Sequence, residues 1–144
     1  MVKIVERSYE DIISLRQLFL KVRQNTFTWA DTTGFNILDF DKETEGETVL
    51  VAIRDKTIVG FISIWLVDNF IHHLYIDDEY QRKGVGTALL KAALNRTKFP
   101  VRLKCLEKNT GAIAFYKKNG FCEKGGGVTE EGPFILFELN DKQT

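Results

Sequence analysis

The sequence predicts an α+β fold, a mixed β-sheet with helices packed against it. Its 144 residues, 44% of them apolar, suit one domain with one core, so residues 1–144 are expected to form a single domain. Three predicted strands follow one another without an intervening helix, which argues against a doubly wound parallel sheet. Helices and strands then alternate in the second half of the chain.

The first half of the chain begins with an alternating segment, residues 2–7, that predicts a strand. Ser8 suits the cap of the helix that follows. Apolar residues then recur at helical spacing, at Ile12, Leu15, Leu18, Phe19 and Val22. The pattern weakens over residues 26–46, where a short helix is expected around residues 37–40.

The strands come next. Segments 47–54 and 57–67 are apolar and are joined at Asp55–Lys56, which predicts a hairpin, and residues 69–76 form a third consecutive strand. A helix is expected over 84–97, a strand over 100–107 and a helix over 109–121, closed by Gly120 in a left-handed conformation. Residues 121–128 and 133–139 predict a closing hairpin.

Composition excludes several functional classes. The chain has 20 basic and 20 acidic side chains, so it lacks the basic excess of a nucleic-acid-binding protein. Its longest apolar run, GFISIWLV, is far shorter than the ~20 residues that span a bilayer. No secretory pattern is visible, and the two cysteines form no CxxC motif, so a cytoplasmic location away from membranes is expected.

The segment QRKGVG, residues 81–86, is a basic, glycine-bearing turn before a helix. A dinucleotide fingerprint would need a small residue where Leu89 stands, and the spacing of a P-loop is absent. The unpaired amides of a helix N-terminus nevertheless bind anions, and glycines let the anion approach closely. On these residues alone, an ordinary helix start on a solvated basic loop remains the alternative.

Two motifs together identify a resemblance. Residues 81–86 match the pattern Q/R-x-x-G-x-G/A, and residues 109–121 match N-x-x-A-x-x-x-Y-x-x-x-G-F. The sequence thus resembles the GNAT superfamily, the Gcn5-related N-acetyltransferases, and its predicted element order is similar along nearly the whole chain. The resemblance implies a three-layer acyl-CoA N-acyltransferase fold, with a mostly antiparallel sheet of six to seven strands and helices on both faces.

The implied activity is direct transfer of an acetyl group from acetyl-CoA to a primary amine of a small molecule or peptide, without a metal. The alternative is a non-catalytic acyl-CoA-binding sensor or interaction domain on the same fold. Nucleic acid and membrane are not expected partners, whereas a homodimer is compatible with what the resemblance implies.

The resemblance also assigns site residues. The coenzyme A diphosphate would be held by the main chain of the turn: Gln81, Arg82, Lys83, Gly84, Val85, Gly86 and Thr87. The backbone of Leu74, Tyr75 and Ile76 would contact the acetyl and pantetheine groups, where the strand splays from its neighbour, and Asn109 would bind the pantetheine arm. Tyr116 would be the general acid, since a phenol of pKa ~10 can protonate a departing thiolate. Without the motif, packing of Tyr116 on the sheet would be the simpler interpretation.

The general base is less defined by the sequence. Side chains alternate along a strand, so His72 and His73 are expected to face opposite sides, with at most one in the cleft. His72 matches a position where some relatives place a base, and a histidine pKa near 6.5 suits that role. Lys104 stands where some relatives have a glutamate, so a water relay stays open.

Three residues are candidate contacts for the acceptor. His73 is one candidate contact for the acceptor. Trp29 and Phe35 could form an apolar wall for it, or could simply cover the core.

Overall fold

The computed structural model describes residues 2–26 and 34–141, which form seven strands and four helices. The elements are β1 Lys3–Glu6, α1 Ile12–Thr26, α2 Asp39–Glu43, β2 Thr48–Arg54, β3 Thr57–Trp65, β4 Phe70–Ile76, α3 Val85–Leu94, β5 Val101–Leu106, α4 Thr110–Lys118, β6 Cys122–Thr129 and β7 Gly132–Leu139. Each predicted strand and helix is present. Within the described ranges, no helix combines the length and the apolar character that crossing a bilayer requires.

All seven strands lie in one sheet, in the order β1-β2-β3-β4-β5-β7-β6. β4 and β5 run parallel, and the other neighbours run antiparallel. The parallel step is made by the β4–α3–β5 crossover, because a parallel neighbour can be reached only through such a connection. The predicted mixed, mostly antiparallel sheet is therefore confirmed.

Helices cover both faces of the sheet. On one face, α3 and α4 pack over a core that includes Leu50, Ala52, Leu89 and Tyr116. Successive residues of β2 point to opposite faces, so Val49 and Val51 belong to a second core under α1 and α2. The three-layer arrangement predicted from the family resemblance is confirmed.

Phe40 anchors the short helix α2. Its ring is fully buried and packs edge-on against Phe19 and Phe61, with centroids 6.0 and 5.3 Å away. The helix starts at Asp39, slightly later than predicted, because the Asn36 and Leu38 amides bond to Asp39 and Asn36 side chains in the preceding turn. This anchoring holds Glu43, at the end of α2, against β4.

β4 and β5 part soon after they meet. Over their described lengths they pair at Phe70–Arg102 and at Ile71–Leu103. Beyond Ile71, β4 continues to pair with β3, up to Ile76. Its edge towards β5 is therefore open over the segment where the resemblance predicted a splayed strand.

β4 also contains a bulge. Ser63 of β3 pairs with His73, whereas the next residue, Ile64, pairs with Ile71. His72 is thus an extra residue in β4, and such an insertion breaks the regular alternation of side chains.

Candidate active site

Two cavities meet at the opening between β4 and β5. The first has a volume of about 360 Å³ and the second about 860 Å³. Both are lined by the same five residues: Leu74, Tyr75, Asn109, Ala112 and Tyr116. The cavities therefore adjoin in one cleft, with the predicted general acid at their junction.

The second cavity ends at the N-terminus of α3. Of the predicted diphosphate-binding residues it is lined by Gln81, Arg82, Gly84, Gly86 and Thr87. The opening amides of a helix carry partial positive charge, so this end of the cavity suits an anion.

Two predicted residues of the turn, Lys83 and Val85, are not among the residues that line this cavity. The Val85 side chain is buried in the core below α3, so only its main chain is available to a ligand. The Lys83 ammonium lies 5.7 Å from the centre of the Tyr80 ring.

Glycine stands at positions 84 and 86 of the turn for different structural reasons. Gly84 has φ = +82°, a left-handed conformation that favours glycine. Gly86 does not need such a backbone, and a Cβ there would lie 3.5 Å from Phe115, an ordinary contact distance. Backbone conformation therefore accounts for Gly84, whereas neither backbone conformation nor packing within the protein requires a glycine at position 86, which lines the cavity.

Tyr116 sits at the junction with its ring buried. It is 7% exposed and packs on Phe121 and Phe137, at centroid distances of 5.5 and 6.3 Å. Burial raises the pKa of its phenol well above the ordinary value, so the hydroxyl keeps its proton at neutral pH. Within residues 2–26 and 34–141 the hydroxyl has no hydrogen-bond partner, so it is available to a bound ligand.

Asn109 caps α4 at the same junction. Its Oδ1 accepts a hydrogen bond from the Ala112 amide at 3.3 Å. This bond fixes the orientation of the carboxamide and directs its NH₂ group away from the helix. Asn109 can thus offer a donor to a ligand in the cleft. Leu74, Tyr75 and Ile76, on the open edge of β4, line the same cavity.

The first cavity contains both histidines. The prediction that His72 and His73 face opposite sides is wrong, because the bulge in β4 turns both rings to one side. Their ring centroids are 3.9 Å apart, and both rings line the cavity. The predicted base and the predicted acceptor contact are therefore neighbours.

Each histidine is held by a hydrogen bond at Nδ1. His72 Nδ1 lies 2.7 Å from a Glu47 oxygen, and His73 Nδ1 lies 2.8 Å from the Ser63 hydroxyl. His73 Nε2 lies 3.3 Å from Glu43 Oε1.

These environments move the two histidine pKa values apart. The hydrogen bond to Glu47 raises the pKa of His72, while burial lowers the pKa of His73. Burial works against ionisation of Glu43, but the bond to His73 and the charges of His73 and Arg23 outweigh it and lower the Glu43 pKa. His73 is therefore the member of the pair with the lower pKa, and His72 is the more basic one.

Phe35, one of the two predicted wall residues, lines the same cavity and stacks on Arg23. The guanidinium lies between the Phe35 and Phe19 rings, 4.0 and 4.1 Å from their centres. Arg23 also pairs with Asp39 at 2.8 Å and with Glu43 at 3.4 Å. The other predicted wall residue, Trp29, lies outside the described residues. Lys104 lines the cavity too, with its ammonium 5.1 Å from the centre of the Phe134 ring.

The sequence reasoning missed Arg23, Glu43, Glu47 and Ser63. They come from α1, α2, the loop after it and β3, so no local spacing links them to the histidines. A weak signal existed in Glu43 and Glu47, two acids just before the hairpin strands.

Comparison with known proteins agrees with the fold. The family described as Acetyltransferase (GNAT) family matches residues 12–121. A protein of Methanocaldococcus jannaschii named as an uncharacterized N-acetyltransferase is 40% identical over 58 residues, 38% of this chain. The matched region spans about a quarter, 26%, of that protein's length.

Solved structures match over nearly the whole chain. The PaiA N-acetyltransferase of Thermoplasma acidophilum, in complex with coenzyme A, has a TM-score of 0.76 at 23% identity and covers 98% of this chain and 99% of its own. Apo-form YjaB of Escherichia coli has a TM-score of 0.77 at 20% identity, covering 96% and 97%. At these identities the likeness shows the fold.

Proposed function

Because the chain belongs to the GNAT acetyltransferase family, we propose that it transfers an acetyl group from acetyl-CoA directly to a primary amine of a small molecule or a peptide. The observation that carries the proposal is the meeting of the two cavities at Tyr116. One cavity leads to an anion-binding helix end, and the other leads to a pair of histidines, so a donor and an acceptor can meet at one hydroxyl.

In this proposal acetyl-CoA lies in the second cavity. Its diphosphate is bound by main-chain amides of residues 81–87, ahead of and within the first turn of α3. Its pantetheine arm follows the edge of β4 along Leu74, Tyr75 and Ile76, a segment beyond the two residue pairs that join β4 to β5 in the described part of the chain. Asn109 donates to this arm.

The acceptor amine enters through the first cavity. Its nitrogen attacks the thioester carbonyl, so a C–N bond forms and the C–S bond breaks. Tyr116 gives its proton to the departing thiolate, which would otherwise leave as an anion in an apolar setting. His72 takes the proton that the attacking nitrogen loses, and the bond from Glu47 orients its ring and increases its basicity.

The acidic groups of the first cavity support an amine as the acceptor. Glu43 and Glu131 both line it, and carboxylates attract a cationic ammonium. His73 and Phe35 complete the wall that we assign to acceptor binding.

The test is coenzyme A release, measured with a thiol reagent, for acetyl-CoA and pooled polyamines, aminoglycosides, amino acids and N-terminal peptides. We expect saturable acetyl-CoA binding by calorimetry and amine-dependent thiol release for at least one pool. Absence of acetyl-CoA binding would refute the cofactor assignment. Saturable binding with no release in any pool would refute catalysis and favour a sensor.

A further inference from the structure

The bulge in β4 gathers metal-ligating groups at the wall of the first cavity. One ring nitrogen each of His72 and His73 and a carboxylate oxygen of Glu43 all lie within 4.8 Å of one another. His73 Nε2 and Glu43 Oε1 are 3.3 Å apart. Two ligands about 2.0–2.1 Å from a tetrahedral cation would be roughly 3.3–3.5 Å apart, so this pair already has suitable spacing.

The hydrogen bonds on the far side of each ring are those of a metal-binding histidine. A ligating histidine almost always bonds through its other nitrogen to a carboxylate or another polar group, which fixes the ring. Here Glu47 holds Nδ1 of His72 and Ser63 holds Nδ1 of His73, so a cation would bind at Nε2 of each ring and would replace the bond between His73 Nε2 and Glu43 Oε1. Because a hydroxyl can donate or accept, Ser63 can partner both the tautomer of His73 that donates from Nε2 to Glu43 and the tautomer whose unprotonated Nε2 would bind a cation.

Glu47 supplies an independent observation. Its side chain is only 7% exposed, and its oxygen Oε1 is buried without a hydrogen-bond partner in the described part of the chain. A buried carboxylate oxygen without a partner is unfavourable unless positive charge lies close by. The other oxygen of Glu47, Oε2, is hydrogen-bonded to Nδ1 of His72. A cation bound at Nε2 of the same ring would therefore bring positive charge close to this carboxylate.

Arg23 does not compete for the Glu43 oxygen that faces His73. Arg23 approaches the opposite oxygen of Glu43, Oε2, at 3.4 Å, and its shorter bond, 2.8 Å, goes to Asp39. Glu43 Oε1 therefore stays directed at His73. Cys105 lines the same cavity but does not belong to the cluster of Glu43, His72 and His73.

We infer that Glu43, His72 and His73 bind one divalent cation of the zinc type, with Glu47 and Ser63 as positioning residues. Two imidazoles and one carboxylate are a ligand set for zinc and its transition-metal neighbours rather than for magnesium or calcium, which prefer oxygen. Three protein ligands leave a coordination position that faces the cavity. The cation would bind without acetyl-CoA, but it would occupy Nε2 of His72, so a zinc-loaded protein would lack the base of the proposed reaction.

The direct test uses the histidine rings themselves. The chain has two histidines, so a tag-free, 15N-labelled sample gives only two sets of imidazole signals. Titration with Zn²⁺, without any coenzyme, should shift Nε2 of both rings and saturate at one equivalent, whereas Mg²⁺ should shift neither. Rings that do not respond to Zn²⁺, or that respond without saturating, would overturn the inference in the wild-type protein, whatever the variants do.

Affinity measurements then assign the ligands. In competition with a chromophoric chelator, Glu43→Gln should abolish tight Zn²⁺ binding. Glu47→Gln should weaken it by roughly 10–100-fold, the usual effect of losing a group that orients a ligand.

Two controls separate the site from its surroundings. Glu131→Gln removes another carboxylate of the same cavity and should leave the affinity unchanged. Cys122→Ala removes the exposed thiol and should also leave it unchanged. Loss of binding in Cys122→Ala, or full binding in Glu43→Gln, would contradict the ligand set.

Discussion

Gly86 is the residue whose replacement best separates folding from coenzyme binding. A Cβ at this position would lie 3.5 Å from Phe115 and 4.0 Å from Ile76, so the fold can accommodate alanine. Alanine is favoured over glycine inside a helix by roughly 0.5–1 kcal/mol. For Gly86→Ala we therefore expect a free energy of unfolding that is unchanged or raised by up to about 1 kcal/mol.

The same substitution should weaken the binding of coenzyme A. Gly86 lines the second cavity at the helix end, so a methyl group there keeps the diphosphate from close approach. Loss of one hydrogen bond to a charged group costs about 1.5–3 kcal/mol, which is about 10- to 150-fold in Kd.

Calorimetry with coenzyme A and urea denaturation of the same samples would measure both effects. Gly84→Ala is the matched control, because its Cβ would meet nothing within 4 Å but its φ of +82° strains an alanine. It should lower the free energy of unfolding by roughly 1–2 kcal/mol. Normal coenzyme affinity in a stably folded Gly86→Ala would refute the placement of the diphosphate at this turn.

Three further predictions concern the cleft and its support. Tyr116→Phe should lower kcat by about 10²-fold or more with little change in acetyl-CoA affinity, since only the transferable proton is removed; steady-state kinetics with wild-type kcat would exclude Tyr116 as the acid. Glu47→Gln removes the bond that raises the pKa of His72, so the acid limb of the kcat/KM profile, measured with a chelator present, should move to lower pH; an unmoved limb would exclude His72 as the base. Phe40→Ala should lower the free energy of unfolding by about 3–5 kcal/mol in urea, because its ring is fully buried, and a loss below about 1 kcal/mol would contradict its role as the anchor of α2.

The cofactor half of the cleft was accessible from the sequence because its residues are local. The turn at 81–86 and the motif at 109–121 each lie on one continuous segment, so their spacing encodes their geometry. Strand and helix periodicity likewise predicted each element, although α3 ends at Leu94 rather than at residue 97.

The acceptor half depends on long-range contacts. His72 and His73 share a side only because of the register between β3 and β4, which alternation along one strand does not predict. Glu43 and Glu47 reach these rings because Phe40 holds α2 on the sheet, and the surrounding segment has little periodicity of its own. Tertiary pairing, rather than local propensity, thus creates this part of the cleft.

The early parting of β4 and β5 has a mechanical consequence for the molecule. Only two residue pairs between β4 and β5 join the two parts of the sheet in the described residues. One part contains the four strands β1 to β4, and the other contains the three strands β5, β7 and β6. A ligand that lies between β4 and β5 and bonds to both strands connects the two parts of the sheet. Ligand binding then raises the free energy needed to open either part of the sheet. Occupancy of the cleft should therefore slow amide hydrogen exchange in strands on both sides of it.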